Sequence, residues 1–406
     1  MNEIKKMSLW QAVAMIFSGM VGSGVLFLPY KMAHCKTWGI FSWFLGAVMS
    51  YCIFLSFVGI NNYIQDNIGN KTPSVLDFLR LGYNDTVAFL LIFGHFFAMS
   101  MSSAVTAISF SDYFFGLFPC YFCSKQLLSS FVLLSIFLLN ILSFGAANAL
   151  NFWLTLVKLL FFLLISMCGA FYYSSYSPCF ETSALLFDGA AITMFAFLGI
   201  EFGIFASGSI ENPKENVIKA TKIGLFLSSI TFIGIFASCL FILPNLEQTK
   251  TPVYDCAIIL LGPIGGKIVG SVALLSCLTG LNGRVVVQGN SLQDFSKKKF
   301  VSKIFGAKTS QGFPWIGSFF SLLISFGVIW MPFKIELTLF IVVLVGFLYC
   351  AIVLSDLLLN GFSLMVLLAI MSCCLMMYNA NLTVVLAAFL VYFIAYIFKI
   401  INSRFS

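Results

Sequence analysis

Ser18-Gly19-Met20-Val21-Gly22-Ser23-Gly24-Val25-Leu26-Phe27-Leu28-Pro29 lies inside an apolar run long enough to cross a bilayer. A second apolar run carries Phe195-Ala196-Phe197-Leu198-Gly199-Ile200-Glu201-Phe202-Gly203, with Gly208 beyond it. Glycine weakens a helix interior and lets the backbone open. Opened backbone at membrane depth is tolerated only where protein or a water-filled cavity surrounds it. Two glycine-interrupted spans at matching places in two halves of a chain are a pointer to a transporter's midplane site. The two runs are the first and sixth spans, which match if spans one to five repeat as six to ten. No residue-level repeat is visible, and close helix packing through small residues is the competing reading of Gly22-Ser23-Gly24.

Composition agrees with a chain that lives in lipid. Of 406 residues, 60% are hydrophobic and 9% charged, against about 25% charged in a soluble domain. So few charges could not cover a soluble fold of this size. That excludes a soluble enzyme, a disordered chain and a nucleic-acid-binding module. Runs of about 20 apolar residues number about twelve. They fall near 8–30, 38–62, 84–118, 127–144, 148–173, 183–210, 217–243, 264–292, 314–331, 335–356, 358–378 and 380–400. The connections at 62–83 and 293–313 are the longest and read as loops or short amphipathic segments. One polytopic domain over 1–406 is expected, and the first run reads as a retained helix rather than a cleaved signal peptide.

The net charge of +7 follows the positive-inside rule rather than a nucleic-acid partner. With the N-terminus inside, fourteen Lys and Arg fall in inner loops and six in outer ones. Both termini are therefore expected in the cytoplasm, in the cytoplasmic (inner) membrane. Lys297–Lys299 reads as an inner loop anchor, with anionic lipid as a further possible contact. His34 and His95 are far apart in sequence, which argues against a histidine-based metal site. Twelve cysteines lie mostly in apolar runs as small hydrophobes. Cys120 and Cys123 form an isolated CxxC without the further ligands zinc needs. No metal, cofactor or nucleotide-binding loop is expected.

Freed N–H groups at a half-helix N-terminus attract a carboxylate, and freed carbonyls at the other break accept from an ammonium. Together they suit the backbone of an amino acid. The segment 22–29 resembles the first-helix motif of the amino acid–polyamine–organocation (APC) superfamily. Residues 195–201 resemble its sixth-helix motif and run into Ile210-Glu211-Asn212-Pro213-Lys214-Glu215-Asn216, which is similar to the loop that follows. Leu243-Pro244-Asn245 and Cys277–Gly289 continue the likeness, which is firm over about 183–292 and 18–30. It is strongest toward the bacterial arginine/agmatine and putrescine/ornithine exchangers. The resemblance implies an all-α, LeuT-like fold. Two inverted five-helix repeats (about 8–173 and 183–356) carry broken helices 1 and 6, and two extra helices follow (about 358–400). It also leaves a homodimer open, for which no stretch argues.

A charge at mid-bilayer costs at least about 2.5–3.5 kcal/mol unless it is paired or wet. Glu201, Lys158, Arg284 and His95 lie inside spans. Glu201 follows the sixth-span break; the resemblance implies a proton-coupling acid there, and a structural partner for Arg284 is the other reading. Burial makes the charge of Lys158 conditional, which suits proton carriage. In proton-driven relatives a fifth-helix lysine stands where sodium-driven ones hold their ion, whereas the polyamine exchangers generally lack it. Arg284 replaces an aromatic of those exchangers. It can pair with Glu201 or take a substrate carboxylate in a fork, and either use weakens the case for a cationic substrate. His95 reads as a satisfied buried histidine. Phe195 matches a substrate-gating aromatic, although most of the 48 phenylalanines are expected to face lipid.

The expectation is secondary active transport of an amino acid by alternating access. Gly22, Ser23, Gly24, Phe195, Ala196, Gly199 and Arg284 bind substrate; Glu201 and Lys158 carry protons. Obligatory exchange of a basic amino acid for its amine is the alternative. A sensor or transport-dead scaffold is the rival outside transport, and the missing acidic rings and filter loops argue against a channel.

Overall fold

Hydrocarbon offers the backbone no hydrogen-bond partners, so a chain this apolar must close its bonds within helices. The computed structural model describes residues 6–67, 74–118, 123–249, 251–331 and 337–403. Within them the first span is α1 (Leu9–Met20) and α2 (Gly24–Lys31), separated by a three-residue break. The second is α3 (Trp38–Asn67), followed by the short α4 (Val75–Gly82). Spans three to five are α5 (Asp85–Leu117), α6 (Lys125–Leu142) and α7 (Phe144–Ala170). The sixth is again divided, into α8 (Ala184–Thr193) and α9 (Phe202–Phe205). Spans seven to twelve are α10 (Pro213–Ile242), α11 (Pro252–Lys297), α12 (Trp315–Trp330), α13 (Leu337–Asn360), α14 (Leu364–Met376) and α15 (Leu382–Ser403). Both interrupted helices are where the glycines placed them, and each expected span has its helix. The protein is a multi-pass membrane protein.

Helix starts follow local chemistry. Ser8 and Gln11 cap α1 reciprocally, as Ser74 and Asp77 cap α4. Ser143 caps α7, so one residue separates it from α6. This corrects the sequence reading, which gave residue 144 to the fourth span and began the fifth at 148. The eighth span is also longer than 264–292. Helix begins at Pro252 and turns at Gly262, whose φ of 73° is glycine's territory, just before Pro263. The second half of the sixth span is shorter than expected, with a four-residue α9.

Burial orders the bundle. Nearly all of the first span is enclosed (94%), against 22% for the last. α1 packs between α7, α10 and α11 at the centre. Phenylalanine divides otherwise than expected: Phe131, Phe389 and Phe393 face outward, but more of the described phenylalanines are buried, Phe17, Phe57 and Phe202 among them.

The basic run at 297–299 has protein partners. Lys298 donates to Asp77 at 2.9 Å, tying the end of α11 to α4, and Lys297 pairs with Asp294 at 3.2 Å. Burial disfavours the ionised Asp77, but hydrogen bonds from Lys298 and Ser74 outweigh it and hold the carboxyl below its ordinary value. A depressed carboxyl stabilises the fold above the ordinary carboxylate range and loses that contribution as pH falls through its folded value. Asp77→Asn removes the ion pair and weakens the cap, at about 1 kcal/mol. The expected result is a lower melting temperature at pH 7 and little difference from the parent in strong acid, read by thermal unfolding in detergent.

Candidate functional site

The two breaks touch. A methyl group on Gly24 would lie 3.3 Å from the Ala196 Cβ. One on Gly199 would lie 3.2 Å from the Gly19 carbonyl carbon and the Met20 nitrogen. Gly199 also has φ 127°, a conformation costly for any L side chain. Gly199→Ala therefore meets both a backbone wall and a forbidden dihedral. Its expected cost is about 1–3 kcal/mol, with transport lost; near-normal uptake at normal expression would count against the close apposition.

At the first break α1 ends, and the Gly22 N–H turns back to Met20 at 2.9 Å. The freed carbonyls are met by side chains from other helices. Arg284 Nη2 donates to the Gly19 carbonyl at 3.2 Å, and Nη1 to Thr106 Oγ1 at 3.1 Å. Lys158 Nζ donates to the Val21 carbonyl at 2.7 Å and to Thr279 Oγ1 at 2.8 Å, and also lies 5.4 Å from the centre of the Phe17 ring. Ser276 Oγ reaches the Val21 and Gly22 carbonyls at 3.0 and 3.2 Å. Ser23 Oγ and Thr106 Oγ1 are 3.0 Å apart. Gly22 and Gly280 are small because the guanidinium lies across them: a methyl on either would sit 3.4 or 3.2 Å from Nη1.

The second break, residues 194–201, carries the acid. Glu201 is fully buried. Its Oε1 meets His95 Nε2 at 2.8 Å, and Oε2 accepts from the Gly199 N–H at 3.0 Å and from the Tyr349 hydroxyl. The His95 ring stacks flat on Phe205, 4.3 Å between centres. Of the two expected uses of Arg284, direct pairing with Glu201 is not made among the described residues. His95, read as a satisfied buried histidine, is fully buried with its Nε2 satisfied by the acid itself, while its Nδ1 has no partner among the described residues. Tyr349 was missed, as were the hydroxyls of Thr106, Ser276 and Thr279. A lone phenol inside an apolar span was the available signal for Tyr349.

Phe195 packs against Phe27, with ring centres 5.6 Å apart. Above this pair opens a cavity of about 650 Å³, lined by Phe195, Leu28, Lys31, His34, Asp188 and Glu247 among others. Phe197 is instead packed between Trp43 and Phe232. Cys120 of the CxxC lies outside the described residues.

Two interrupted helices meeting at buried charges are a mark of secondary transporters. The sequence profile of the family described as amino acid permease matches residues 7–405. The chain belongs to the amino acid permease family. Among its relatives is the putrescine transporter PotE of Haemophilus influenzae (strain ATCC 51907 / DSM 11121 / KW20 / Rd). It is 22% identical over 330 residues, covering 77% of this chain and 73% of the relative. A Bacillus subtilis (strain 168) protein, named provisionally as an arginine/ornithine antiporter, is 24% identical over 350 residues, covering 77% and 73%. The PotE protein of Escherichia coli (strain K12) is 22% identical over 344 residues, covering 80% and 75%. In structure the permease is similar to a Na+-coupled sialic acid symporter solved in a substrate-bound outward-open state. The TM-score is 0.61 at 12% identity, over 94% of this chain and 90% of that one. The likeness shows the LeuT-like fold.

Proposed function

We propose that this permease accumulates amino acids across the cytoplasmic membrane by alternating access driven by protons, with both termini in the cytoplasm. The observation that carries the reading is a charge imbalance. Lys158 and Arg284 are both buried beside the first break, and their hydrogen bonds go to carbonyls and hydroxyls. Glu201, the buried carboxylate at the other break, is engaged by His95 and Tyr349 and pairs with neither cation among the described residues. A substrate carboxylate supplies the missing negative charge. It binds the guanidinium and the N–H groups of Gly24 and Val25 at the start of α2, since those of Leu26 and Phe27 already donate to the Ser23 carbonyl. The substrate ammonium is received at the 194–201 break, and Phe27 and Phe195 close over it.

Lys158 sits among oxygens of the Val21 carbonyl and the Thr279 hydroxyl, donors suited to a small cation. Its ammonium takes the place of such an ion, and its loss of a proton loosens the first break. Glu201, held by His95, is the second proton carrier, at the other break. The relatives named for putrescine carry a dication, which two buried positive charges would oppose. The proposed substrates therefore have a carboxylate and no cationic side chain. The repeats at about 8–173 and 183–356, with the helices at about 358–400, form one transport unit.

The test is uptake into proteoliposomes. Labelled neutral amino acids should accumulate with an inward proton gradient and collapse with a protonophore. The antiport of the Bacillus subtilis relative's name defines the second reading: efflux that requires external substrate, with no response to the gradient, would establish that reading and defeat this one.

A further inference from the structure

The cavity beside Phe195 has His34 and Asp188 on its wall, and with the buried Cys35 next to them they form a cluster that the transport reading does not use. His34 and Cys35 lie in the short turn after α2, and Asp188 lies on α8. One ligand atom from each lies within 4.8 Å of the others. His34 Nε2 is 2.9 Å from Asp188 Oδ2 and 3.4 Å from Cys35 Sγ. Sequence spacing conceals the group, because Asp188 is 154 positions from His34.

The orientation of His34 is informative. Its Nδ1 is 3.0 Å from the Lys31 carbonyl, which can only accept, so Nδ1 carries the hydrogen. In the neutral ring Nε2 then presents a lone pair, and it presents it to a carboxylate oxygen that also only accepts. A proton on Nε2 closes this contact in the bare protein, and a metal cation can take that proton's place between the same two atoms. The same Nδ1–H to carbonyl bond is the arrangement that fixes a metal-binding histidine. The carboxylate is braced in like manner, since Asn379 Nδ2 donates to Asp188 Oδ1 at 2.7 Å.

We propose that His34 Nε2, Cys35 Sγ and Asp188 Oδ2 bind a borderline-soft divalent cation of the zinc type, at the wall of the cavity. Nitrogen, sulfur and carboxylate donors together suit zinc rather than magnesium or calcium. Zinc bonds are about 2.0–2.3 Å long, so tetrahedral ligands stand slightly farther apart than the 2.9 and 3.4 Å here. The His34 and Asp188 side chains are 43% and 32% exposed, so they can rotate to adjust those distances. Without a cation, burial and then the Asp188 charge push the Cys35 thiol up to about 12. Binding displaces that thiol proton to solvent and forms the metal–sulfur bond. His34 and Asp188 on the cavity wall give an ion its path of entry. Such an ion ties the outer ends of the two interrupted spans, α2 through its following turn and α8 directly.

The purified full-length permease is titrated with Zn2+ by calorimetry and with Co2+ by absorption. The expected result is one Zn2+ site and a near-ultraviolet thiolate-to-cobalt band. Cys35→Ser should abolish the band, while His34→Gln and Asp188→Asn weaken Zn2+ at least about tenfold, roughly one lost ligand's 1.4 kcal/mol. Cys374→Ser, an exposed thiol on α14, should leave both readings unchanged. Absence of the band in the unmodified protein overturns the proposal without any variant. So does a band that survives Cys35→Ser, or Zn2+ affinity indifferent to His34 and Asp188.

Discussion

Lys158→Gln should abolish proton-driven accumulation while counterflow, the exchange of internal for external substrate, persists. The ammonium holds the Val21 carbonyl and the Thr279 hydroxyl from the middle of α7. Charged donors strengthen such bonds to about 1.5–3 kcal/mol each. The neutral amine would keep bonds of only about 0.5–1.5 kcal/mol each, so over the two bonds protonation changes the stability of the first break by about two decades in equilibrium constant. An equilibrium between two transporter states moves only by the difference in a ligand's affinity for them, and here the proton is that ligand. Glutamine keeps an N–H donor and much of the side-chain volume, yet its charge cannot change. The accumulation ratio should fall at least about tenfold, and exchange should change far less. Lys158→Ala is the poorer probe, because it also leaves a cavity and an unsatisfied carbonyl. Gradient-driven accumulation surviving in Lys158→Gln would falsify the role given to the lysine.

The helices were legible because their cause is local. A bilayer demands long apolar runs, and caps such as Ser8 and Ser143 end them by short-range bonds. The interrupted spans were legible for a similar reason: Gly22 and Gly199 cannot be disguised in a sequence of Leu and Phe. What could not be read was which polar groups would meet across the bundle. Arg284 had two expected partners, and its chosen ones are a carbonyl in α1 and a threonine in α5, 265 and 178 positions away. His95 looked isolated because Glu201 is 106 positions off. In each case the partner is set by helix packing, which a single sequence does not contain. The ends of α11 failed for another reason. Gly262-Pro263 looks like a helix stop, yet a glycine at φ 73° lets helix resume after one residue.

Arg284→Met should invert the preference between an amino acid and its decarboxylated amine. In the unaltered protein the guanidinium lies against Gly22, at the mouth of the first break, where a carboxylate bound to α2 would come to rest. A fork of two N–H groups binds a carboxylate with geometry as well as charge. Losing it removes a charge-assisted contact of about 1.5–3 kcal/mol. Apparent affinity for the amino acid should therefore weaken about 10–100-fold. An amine without the carboxylate never gained from that contact and is repelled by the buried positive charge. Its affinity should improve when the charge goes. Methionine is chosen because its flexible stem fills the space without a polar head. Arg284→Lys separates the two causes: it keeps the charge but not the fork, so the amine should stay excluded while the amino acid binds less well. Measured as competition against one labelled substrate, the pattern distinguishes recognition from damage to the fold, which would lower every affinity together. If both ligands weaken in parallel in Arg284→Met, the arginine only braces the Gly19 carbonyl and Thr106, and the carboxylate is read elsewhere.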